Sequence, residues 1–400
     1  MNIILFDDPV IREDLLPFTF IRPVAEIRVG ILTIAEKWKH VKGADVSYQT
    51  EAYLSGKYPT NLTGDNYFIN GAICPDEEFI NRLKKLSKND ALVEGDKIWA
   101  IRTEATNIPL SGFNSIHCEN VVVVDKPWKI FQFNGSQIKH DYEILTKDRK
   151  SHGVNDVHTK VYNIENIFIE EGVTIRAAIL NAENGPIYLG KNSHVHEGAI
   201  IRGSFSLGEQ SHVNMGAKVR GDTTVGPFSK IGGEVSNTVI FGYSNKAHDG
   251  FLGNSVIGEW CNFGADSNTS NLKNNFENIK LWNYTKNSFV DSGLLFCGLM
   301  MGDHSKCGIN TMFNTGTVVG ISANIFGAGF PRNFIPSFAW GGATGFTTFK
   351  IDKALKTASM AMERRQQKLT EVDINILKEI YSRSSVFRTW ERIGNTELSV

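Results

Sequence analysis

The sequence predicts a mixed fold, in which a small N-terminal α/β domain precedes a parallel β-helix that is followed by C-terminal helices. Three observations predict this order. The first is a run of eight aliphatic residues spaced six apart, from Leu189 to Ile231. The second is an alternation of strand-like and helix-like segments before residue 110. The third is a helical pattern after residue 347.

The spacing of six is typical of hexapeptide repeats, because short strands separated by corners place every sixth side chain on one inner face. A helix with 3.6 residues per turn would scatter such residues over several faces. The run comprises Leu189, Val195, Ile201, Leu207, Val213, Val219, Val225 and Ile231. It therefore predicts the inner face of a β-helix.

The repeat extends in both directions from this run. Upstream, Ile167, Val173 and Ile179 keep the same step. A second register, shifted by two residues, comprises Val239, Asn245, Phe251, Ile257, Phe263 and Thr269. A third comprises Phe289, Leu295, Met301, Cys307, Phe313, Val319 and Ile325. The largest interruption, at 270–286, is predicted to be a surface loop and a candidate site, because insertions in repeat proteins lie on one face.

The N-terminal segments predict an α/β domain over residues 1–110. Residues 2–6 and 67–73 are apolar enough for buried strands. A helical run ends near Trp38, and Pro75 with three acids predicts the start of a helix that reaches Leu86. Alternation of this kind is typical of an α/β layer structure.

The remaining boundaries follow from composition. Residues 111–160 carry turn residues and charges, which predicts a linker. Residues 161–346 form the predicted β-helix, and residues 347–400 form a helical tail. Within this tail, Thr370 and Asp373 have the spacing of a capping box.

Composition restricts the class of protein. The chain has 42 basic and 43 acidic residues, which predicts no nucleic-acid partner. No apolar run approaches the ~20 residues of a membrane span, and the start of the chain becomes acidic too early for a signal peptide. The five cysteines are scattered, which favours reduced thiols and a cytoplasmic location.

Four motifs of the β-helix region resemble one known family. They are Gly-Gly-Glu-Val-Ser-Asn-Thr-Val-Ile at 232–240, Lys-Ala-His-Asp-Gly-Phe-Leu-Gly at 246–253, Ile-Gly-Glu-Trp-Cys-Asn-Phe-Gly at 257–264 and Thr-Ser-Asn-Leu at 269–272. This region is similar to the acetyltransferase domain of the GlmU-like family. Members are bifunctional sugar-1-phosphate nucleotidyltransferases and glucosamine-1-phosphate N-acetyltransferases. The start of the chain, with Phe-Thr-Phe-Ile-Arg-Pro at 18–23, resembles a divergent branch with a shortened first domain.

The resemblance implies a left-handed parallel β-helix that assembles as a homotrimer with sites between subunits. It implies an acetyl-CoA-dependent enzyme that acylates an amino-sugar phosphate in UDP-N-acetylglucosamine and cell-envelope precursor synthesis. His248 falls on the position of the family's catalytic base, Asn271 on a sugar-contacting position and Lys280 on a loop lysine that meets phosphate or coenzyme A. Taken alone, these residues would be a corner histidine, a turn asparagine and a solvated lysine.

Several positions differ from the family pattern. The family tyrosine three residues after the histidine is Phe251, a loop lysine is replaced by Glu277, and the expected arginine is Gly232. A further family lysine, expected near 236–237, is also missing. Lys230, Arg220 or Lys246 could supply the missing cations for anionic substrates.

The first domain differs further from the pattern. Phe-Asp-Asp-Pro-Val stands where the family has a Gly-rich phosphate-binding turn, and Val24 replaces a lysine. Arg12, Arg22, Arg28 and Asp7 are the candidates for a remodelled nucleotide site, with Mg²⁺ as the ion that carboxylates would bind there. The simpler interpretation is that the arginines serve packing and ion pairs.

Two alternatives to the enzyme remain open. The chain could be a non-catalytic trimeric β-helix scaffold, or a sugar-nucleotide-binding protein. His194 and His212 lie eighteen residues apart, so they are expected to stack on one face, as in the zinc site of β-helical carbonic anhydrases. Because His196 is expected on the other face, a third ligand is lacking and no metal site is predicted.

Overall fold

The computed structural model describes residues 1–108 and 111–391, which divide into two compact units. The first unit comprises Met1–Ile27 and Leu32–Lys126. The second comprises Arg28–Ile31 and the chain from Pro127 onward. In the described ranges, every helix is too short or too polar to span a bilayer.

The first unit contains a six-stranded mixed sheet. In spatial order its strands are Asp45–Gln49, Asn2–Phe6, Asn66–Asn70, Lys97–Thr103, Asp90–Glu94 and Asn114–His117. Strand Asn2–Phe6 pairs in parallel with both of its neighbours, and its last four residues are buried. The predicted strand at the start of the chain is therefore confirmed, and it is central because both of its faces are apolar.

Three helices of the first unit begin at polar caps. They are Pro9–Asp14, Ile34–Lys39 and Glu77–Lys84. The second begins with a reciprocal capping box between Thr33 and Glu36, which satisfies two otherwise unpaired backbone amides. The third begins at Asp76, directly after Pro75, so the predicted helix start is confirmed.

The second unit is built around a left-handed parallel β-helix with three faces, as predicted. The six-stranded face comprises Lys160–Tyr162, Ile179–Asn181, Ile200–Arg202, Lys218–Val219, Glu234–Ser236 and Phe251–Gly253. The nine-stranded face comprises Ile167–Ile169, Ile187–Leu189, Phe205–Leu207, Thr223–Val225, Val239–Ile240, Val256–Ile257, Met300–Met301, Val318–Val319 and Phe334–Ile335. The ten-stranded face comprises Thr174–Ile175, His194–Val195, His212–Val213, Lys230–Ile231, Asn245–Lys246, Asn262–Phe263, Lys306–Cys307, Asn324–Ile325, Ala339–Gly342 and Gly345–Thr348. Strand Asn268–Thr269 pairs separately with Met312–Phe313.

The inner face of the β-helix is the apolar run that the sequence predicts. All eight aliphatic residues from Leu189 to Ile231 have 2% exposure or less. They stack in register on successive coils, so that Val195 pairs with Val213 and Ile201 pairs with Val219. Each coil therefore buries its aliphatic side chains on those of the next coil, at roughly 1.5–3 kcal/mol per side chain.

Some positions of the predicted registers on either side of this run need correction by one or two residues, whereas Ile167, Ile257 and Phe263 lie in the core as predicted. Upstream, Ile175 and Leu180 point inward, whereas Val173 and Ile179 are only partly buried. Downstream, Ile240 pairs with Val225, Lys246 pairs with Ile231 and Leu252 pairs with Val235. The prediction that Val239, Asn245 and Phe251 point inward is wrong. A shorter coil places the neighbouring residue in the column.

The third register is confirmed only from Met301 onward. Phe289 and Leu295 are 43% and 47% exposed, because the predicted interruption is longer than its apolar pattern suggests. It contains an antiparallel hairpin of strands Lys280–Asn283 and Ser288–Asp291. A bridge between Leu272 and Phe296 closes its base. The hairpin therefore projects from the coil as a formed element.

The stretch 111–160, predicted as a linker, contains a 20-residue helix, Pro127–Thr146. Its buried residues include Asn134 and Asp141, so polar side chains form part of the buried face of this helix. The Asn134 side chain accepts hydrogen bonds from the Gly30 amide at 2.8 Å and the Thr224 hydroxyl at 3.0 Å. It also donates to the Asp222 carbonyl at 2.8 Å. The helix is thus attached to the β-helix by polar contacts, which hydrophobic periodicity cannot show.

Two further helices follow the β-helix. They are Ile351–Glu363 and Glu371–Arg383, and the second begins with the predicted capping box of Thr370 and Asp373. Strand Gly345–Thr348 turns back antiparallel on Ala339–Gly342. The last parallel strand of the ten-stranded face is therefore covered by the chain itself, which protects a sheet edge. Residues 392–400 of the predicted tail lie outside the described residues.

We expect Asn134→Ala to lower the free energy of unfolding by about 2–4 kcal/mol. The reason is that the substitution leaves the buried Gly30 amide and Asp222 carbonyl without their partner. Urea denaturation followed by circular dichroism measures the change. The control is Asn155→Ala at an exposed position, which should change stability by less than about 0.5 kcal/mol. Equal midpoints for the two variants would contradict the assignment.

Candidate functional site

His248 is an exposed residue at a corner that follows strand Asn245–Lys246. It lines a groove of about 660 Å³, here called the histidine groove. The lining residues are His196, Asn214, Met215, Gly232, Gly233, Ala247, His248, Asp249, Ala265 and Asp266. The groove therefore follows one edge of the β-helix over several coils, with two imidazoles and two carboxylates along it.

The corner that carries His248 is fixed by contacts with its neighbours. The Asn214 amide donates to the Ala247 carbonyl at 2.8 Å. The coil above approaches so closely that a Cβ on Gly232 would lie 2.3 Å from the Ala247 carbonyl oxygen. Glycine is therefore required at 232, which gives a structural reason why the family arginine is not found there.

Lys246 lies beneath this corner and is 2% exposed. Its ammonium donates to the carbonyls of His248 at 2.5 Å and Asp249 at 2.9 Å. Burial lowers the pKa of Lys246 to about 8, although Asp249 and Asp266 act in the opposite direction. The hypothesis that Lys246 replaces a phosphate-binding cation is thus not supported by its buried position.

Asn271 lies where the inserted loop leaves the β-helix. Its side-chain amide donates to the Asn254 side chain at 2.7 Å, and its backbone carbonyl accepts from the Cys297 amide at 2.9 Å. These contacts fix the base of the loop. The Asn271 side chain is only partly buried, so one of its faces stays accessible.

Lys280 begins the first strand of the hairpin and is exposed. It lines a groove of about 1200 Å³ together with the cations Lys273 and Arg332 and the aromatic residues Trp282 and Phe334. The rings of Trp282 and Phe334 stack at 4.2 Å between centroids. This hairpin groove combines aromatic walls with positive charge. Glu277, the charge reversal, is 70% exposed and faces Lys273 at 3.9 Å.

Lys230 lies on the ten-stranded face, where it pairs with His212 on one side and Asn245 on the other. It lines a third groove, of about 900 Å³, here called the arginine groove, together with Lys306, Arg364 and Arg365. Arg365 donates to the Asn245 side chain at 3.1 Å. Burial and the neighbouring Arg364 both lower the pKa of Arg365. Positive charge therefore accumulates in this groove.

Arg220 lies in a fourth groove, of about 610 Å³, which also contains Lys139, Arg202 and Lys218. Its side chain is 68% exposed and forms a salt bridge with Glu234 at 2.9 Å. The sequence-predicted residues His248, Lys280, Lys230 and Arg220 thus line four different grooves. A single chain does not bring them together.

Three histidines form a stack beside the histidine groove. His194 and His212 stack at 4.6 Å between ring centroids, as predicted. The expectation that His196 points away is wrong, because its Nε2 lies 3.1 Å from His212 Nδ1. Burial and the neighbouring positive groups lower the pKa of His212 to about 4. In the described residues, no group of three or more potential ligands has the arrangement of a metal site.

Arg12 is buried in the first unit. Its guanidinium donates to Asp7 at 2.7 Å, to the carbonyls of Thr19 and Arg22 at 2.5 and 3.1 Å, and to the Tyr53 hydroxyl at 3.0 Å. Arg22 is also buried and approaches the Phe18 carbonyl at 3.4 Å. These contacts are hydrogen bonds and an ion pair within the first unit. They leave little of either side chain for a nucleotide.

The residues present do not fit a Mg²⁺ ion at Asp7. One carboxylate oxygen accepts from the Val24 amide at 2.8 Å, and the other accepts from Arg12 and from Thr50. Burial raises the pKa of Asp7, although Arg12 partly offsets the effect. A hard cation needs accessible carboxylate oxygens, and this carboxylate is already surrounded by protein donors.

Comparison with known proteins supports the resemblance that the sequence indicates. Residues 3–150 match the family described as sugar nucleotidyl transferase. The bifunctional protein GlmU of Methanocaldococcus jannaschii is 36% identical over 87 residues, which is 22% of this chain and 21% of that protein. A bifunctional sugar-1-phosphate nucleotidylyltransferase/acetyltransferase of Sulfurisphaera tokodaii is 34% identical over 100 residues, or 24% of each chain. The predicted relationship to the GlmU-like family is confirmed, with modest identity over part of the chain.

The matched segments span less than a quarter of the length of either relative. Among solved structures, the polySia-specific acetyltransferase NeuO matches 52% of this chain and 99% of that chain at 15% identity and a TM-score of 0.27. The Arabidopsis UDP-N-acetylglucosamine acyltransferase matches 52% of this chain and 78% of that chain at 16% identity and a TM-score of 0.26. TM-scores this low support no conclusion about this chain.

Sequence reasoning missed two features of the site. The first is the inward position of Lys246, which pairs with Ile231 because this coil is about three residues shorter than the coils before it. The second is the pair Arg364 and Arg365 at the end of helix Ile351–Glu363. Nothing in the repeat pattern relates this helix to the ten-stranded face, so only the structure shows these arginines near Lys230.

We expect His212→Asn to reduce the loss of stability at low pH. The lowered pKa keeps His212 neutral in the folded protein, whereas the unfolded chain takes up a proton below pH ~6.5. Folding stability contributed by neutral His212 is therefore present above pH ~6.5 and is lost as the pH falls towards 4. Solvent screening keeps the effect small.

Differential scanning fluorimetry at pH 7.5 and pH 5 measures this contribution. Relative to wild type, the fall in Tm should be smaller in His212→Asn by roughly 1–3 °C. His158→Asn, at an exposed histidine, is the matched control and should follow wild type. A fall in Tm that is identical in all three proteins would contradict the expectation.

Proposed function

We propose that this chain is an N-acetyltransferase that uses acetyl-CoA to acylate an amino-sugar phosphate of the glucosamine-1-phosphate type. The observation that carries the proposal is the position of His248, an exposed imidazole in a groove at the residue matching the family's base. The family matches support it. The product would serve UDP-N-acetylglucosamine and cell-envelope precursor synthesis in the cytoplasm.

The proposed reaction uses His248 as the general base. The sugar amine attacks the thioester carbonyl, and His248 accepts the proton that the amine loses as the new N–C bond forms. The C–S bond then breaks, and the leaving thiolate takes up a proton to give free coenzyme A. Histidine suits this role because its unperturbed pKa lies close to neutral pH.

We assign the arginine groove to the phosphates of coenzyme A. Lys230, Arg364 and Arg365 form no salt bridge among residues 1–108 and 111–391, so their charge is available to an anion. The arginine groove and the histidine groove share Ala247 in their linings, so a ligand could extend from one to the other. Asn271, Lys280 and Arg220 stay candidates for contacts with the sugar phosphate.

A homotrimer would complete the site. Met215 and Ile309 are 75% and 69% exposed and lie on the same edge of the β-helix as His248. The amide of Asn310, next to Ile309, donates to the Ala265 carbonyl of the histidine groove at 2.8 Å. Exposed apolar side chains around a polar groove are typical of contacts between proteins. A second copy packed on this edge could bring a residue such as Lys280 or Arg220 towards the groove.

A second function is a non-catalytic sugar-nucleotide-binding role for the first unit. The sugar nucleotidyl transferase match supports a relationship to nucleotidyltransferases. The engagement of Asp7 and Arg12 with each other disfavours metal-assisted transfer at this carboxylate. Release of pyrophosphate from a nucleoside triphosphate and a sugar-1-phosphate would distinguish these roles, because only transfer produces it.

We expect acetyl-CoA and glucosamine-1-phosphate to release free coenzyme A in the presence of the protein, and His248→Ala to lower kcat by about 10²–10⁴-fold. The loss follows from removal of the group that accepts the amine proton. A thiol reagent such as dithionitrobenzoate measures release. His158→Ala is the matched control, because it removes an exposed histidine outside the grooves.

Equal rates for wild type and His248→Ala would show that His248 is not the general base. Absence of activity with every amino-sugar phosphate tested, together with no stabilisation by millimolar acetyl-CoA, would favour the scaffold function. Ligand-induced stabilisation is informative here because a ligand that binds only the folded protein raises Tm.

We expect Arg365→Gln to raise the KM for acetyl-CoA by about fivefold to tenfold, with a smaller effect on kcat. One charge-assisted hydrogen bond to a phosphate would be lost. The same variant should show a weaker dependence of KM on salt, because fewer ion pairs form. Lys368→Gln, at a nearby exposed cation, is the control. An unchanged KM would show that the phosphates bind elsewhere.

A further inference from the structure

Lys246 occupies a position that the β-helix elsewhere fills with apolar side chains. Strand register places it directly below Ile231, which is followed upwards by Val213 and Val195. The column continues towards Phe263 on the next coil. A lysine therefore replaces an aliphatic residue in the middle of a stacked core column.

The ammonium of Lys246 makes a specific set of contacts. It donates to the carbonyls of His248 at 2.5 Å, Asp249 at 2.9 Å and Gly232 at 3.4 Å. These carbonyls belong to two successive corners of the β-helix. One charged group thus joins the backbone carbonyls of His248 and Asp249 to the carbonyl of Gly232 on the coil above.

Burial of the Lys246 ammonium in this column lowers the stability of the folded protein. Removal of an ammonium from water disfavours its charged form, and a buried charge is retained at low cost only when it is well paired. Within the described part of the chain, Lys246 forms no salt bridge with a carboxylate. Its lowered pKa has the same origin, namely burial. An aliphatic residue would suit the column better, so the lysine has a use other than packing.

We infer that Lys246 is a positioning residue, which holds the backbone of residues 248 and 249 so that the His248 imidazole faces the groove in one orientation. This inference rests on the proposed function, in which His248 is the base. Hydrogen bonds to the carbonyls of His248 and Asp249 restrict rotation of these peptide units. A base displaced by about 1 Å loses about a hundredfold in rate, so such restriction matters for catalysis.

The test compares Lys246→Met with wild type in the full chain. The variant replaces the ammonium by an unbranched apolar group of similar length. We expect a Tm equal to or above that of wild type, because the buried charge is removed. We expect amide hydrogen exchange in residues 247–250 to become about tenfold faster. With activity present, kcat should fall about tenfold to a hundredfold while the KM for acetyl-CoA stays within twofold.

Two further variants complete the experiment. Ile231→Met changes the same column one coil away and leaves the carbonyl contacts intact, so it should keep wild-type exchange in residues 247–250 and wild-type kcat. Lys246→Gln can still donate to one carbonyl, so its exchange and kcat should lie between those of wild type and Lys246→Met. It also serves if Lys246→Met fails to fold.

The two readouts separate this inference from the proposed function. Faster exchange at 247–250 without a loss of Tm supports the positioning role even if no acetyl acceptor is found. Unchanged exchange in both Lys246 variants overturns it. A large fall in Tm with exchange raised across the whole β-helix also overturns it, because that result describes a purely structural lysine. Faster local exchange with an unchanged kcat overturns the link to catalysis.

Discussion

The β-helix depends on one repeated contact, the stacking of an inward side chain on the inward side chain of the coil below. Since most of the strands are only two or three residues long, their hydrogen bonds alone could not fix the coils, and the aliphatic columns set the register. Where the column is unbroken, it also determines the positions of the corners. Where a lysine enters the column, the adjacent corner gains polar contacts instead, and this corner carries His248.

Prediction from the sequence was accurate where this stacking contact repeats regularly. From Leu189 to Ile231, every strand buries an aliphatic residue at constant spacing, so the inner face could be predicted residue by residue. After Ile231 one coil is shorter, and the predicted pattern then selects the neighbour of the inward residue until Ile257 restores the agreement. Helix Pro127–Thr146 was missed because it buries Asn134 and Asp141, whose burial depends on partners far away in the sequence.

The candidate site was less accessible to prediction than the fold. A motif placed His248 at a corner, but the surroundings of that corner come from separate coils and from the helix Ile351–Glu363. Charge in the arginine groove combines Lys230 with Arg364 and Arg365, which are more than a hundred residues apart in the sequence. Repeat spacing describes each coil separately, so it cannot indicate which distant helix lies along a face.

Segment Arg28–Ile31 shows that the two units are not two consecutive pieces of chain. The Arg28 guanidinium donates to the Phe241 carbonyl at 2.9 Å, and the Ile31 amide donates to Asp141 at 2.8 Å. Four residues encoded early in the sequence are thus part of the body formed by its last two thirds. A gene cut after codon 126 would keep all residues of the first unit together but would remove Arg28–Ile31 from the second unit. Evolutionary exchange of the first unit by simple recombination is correspondingly constrained.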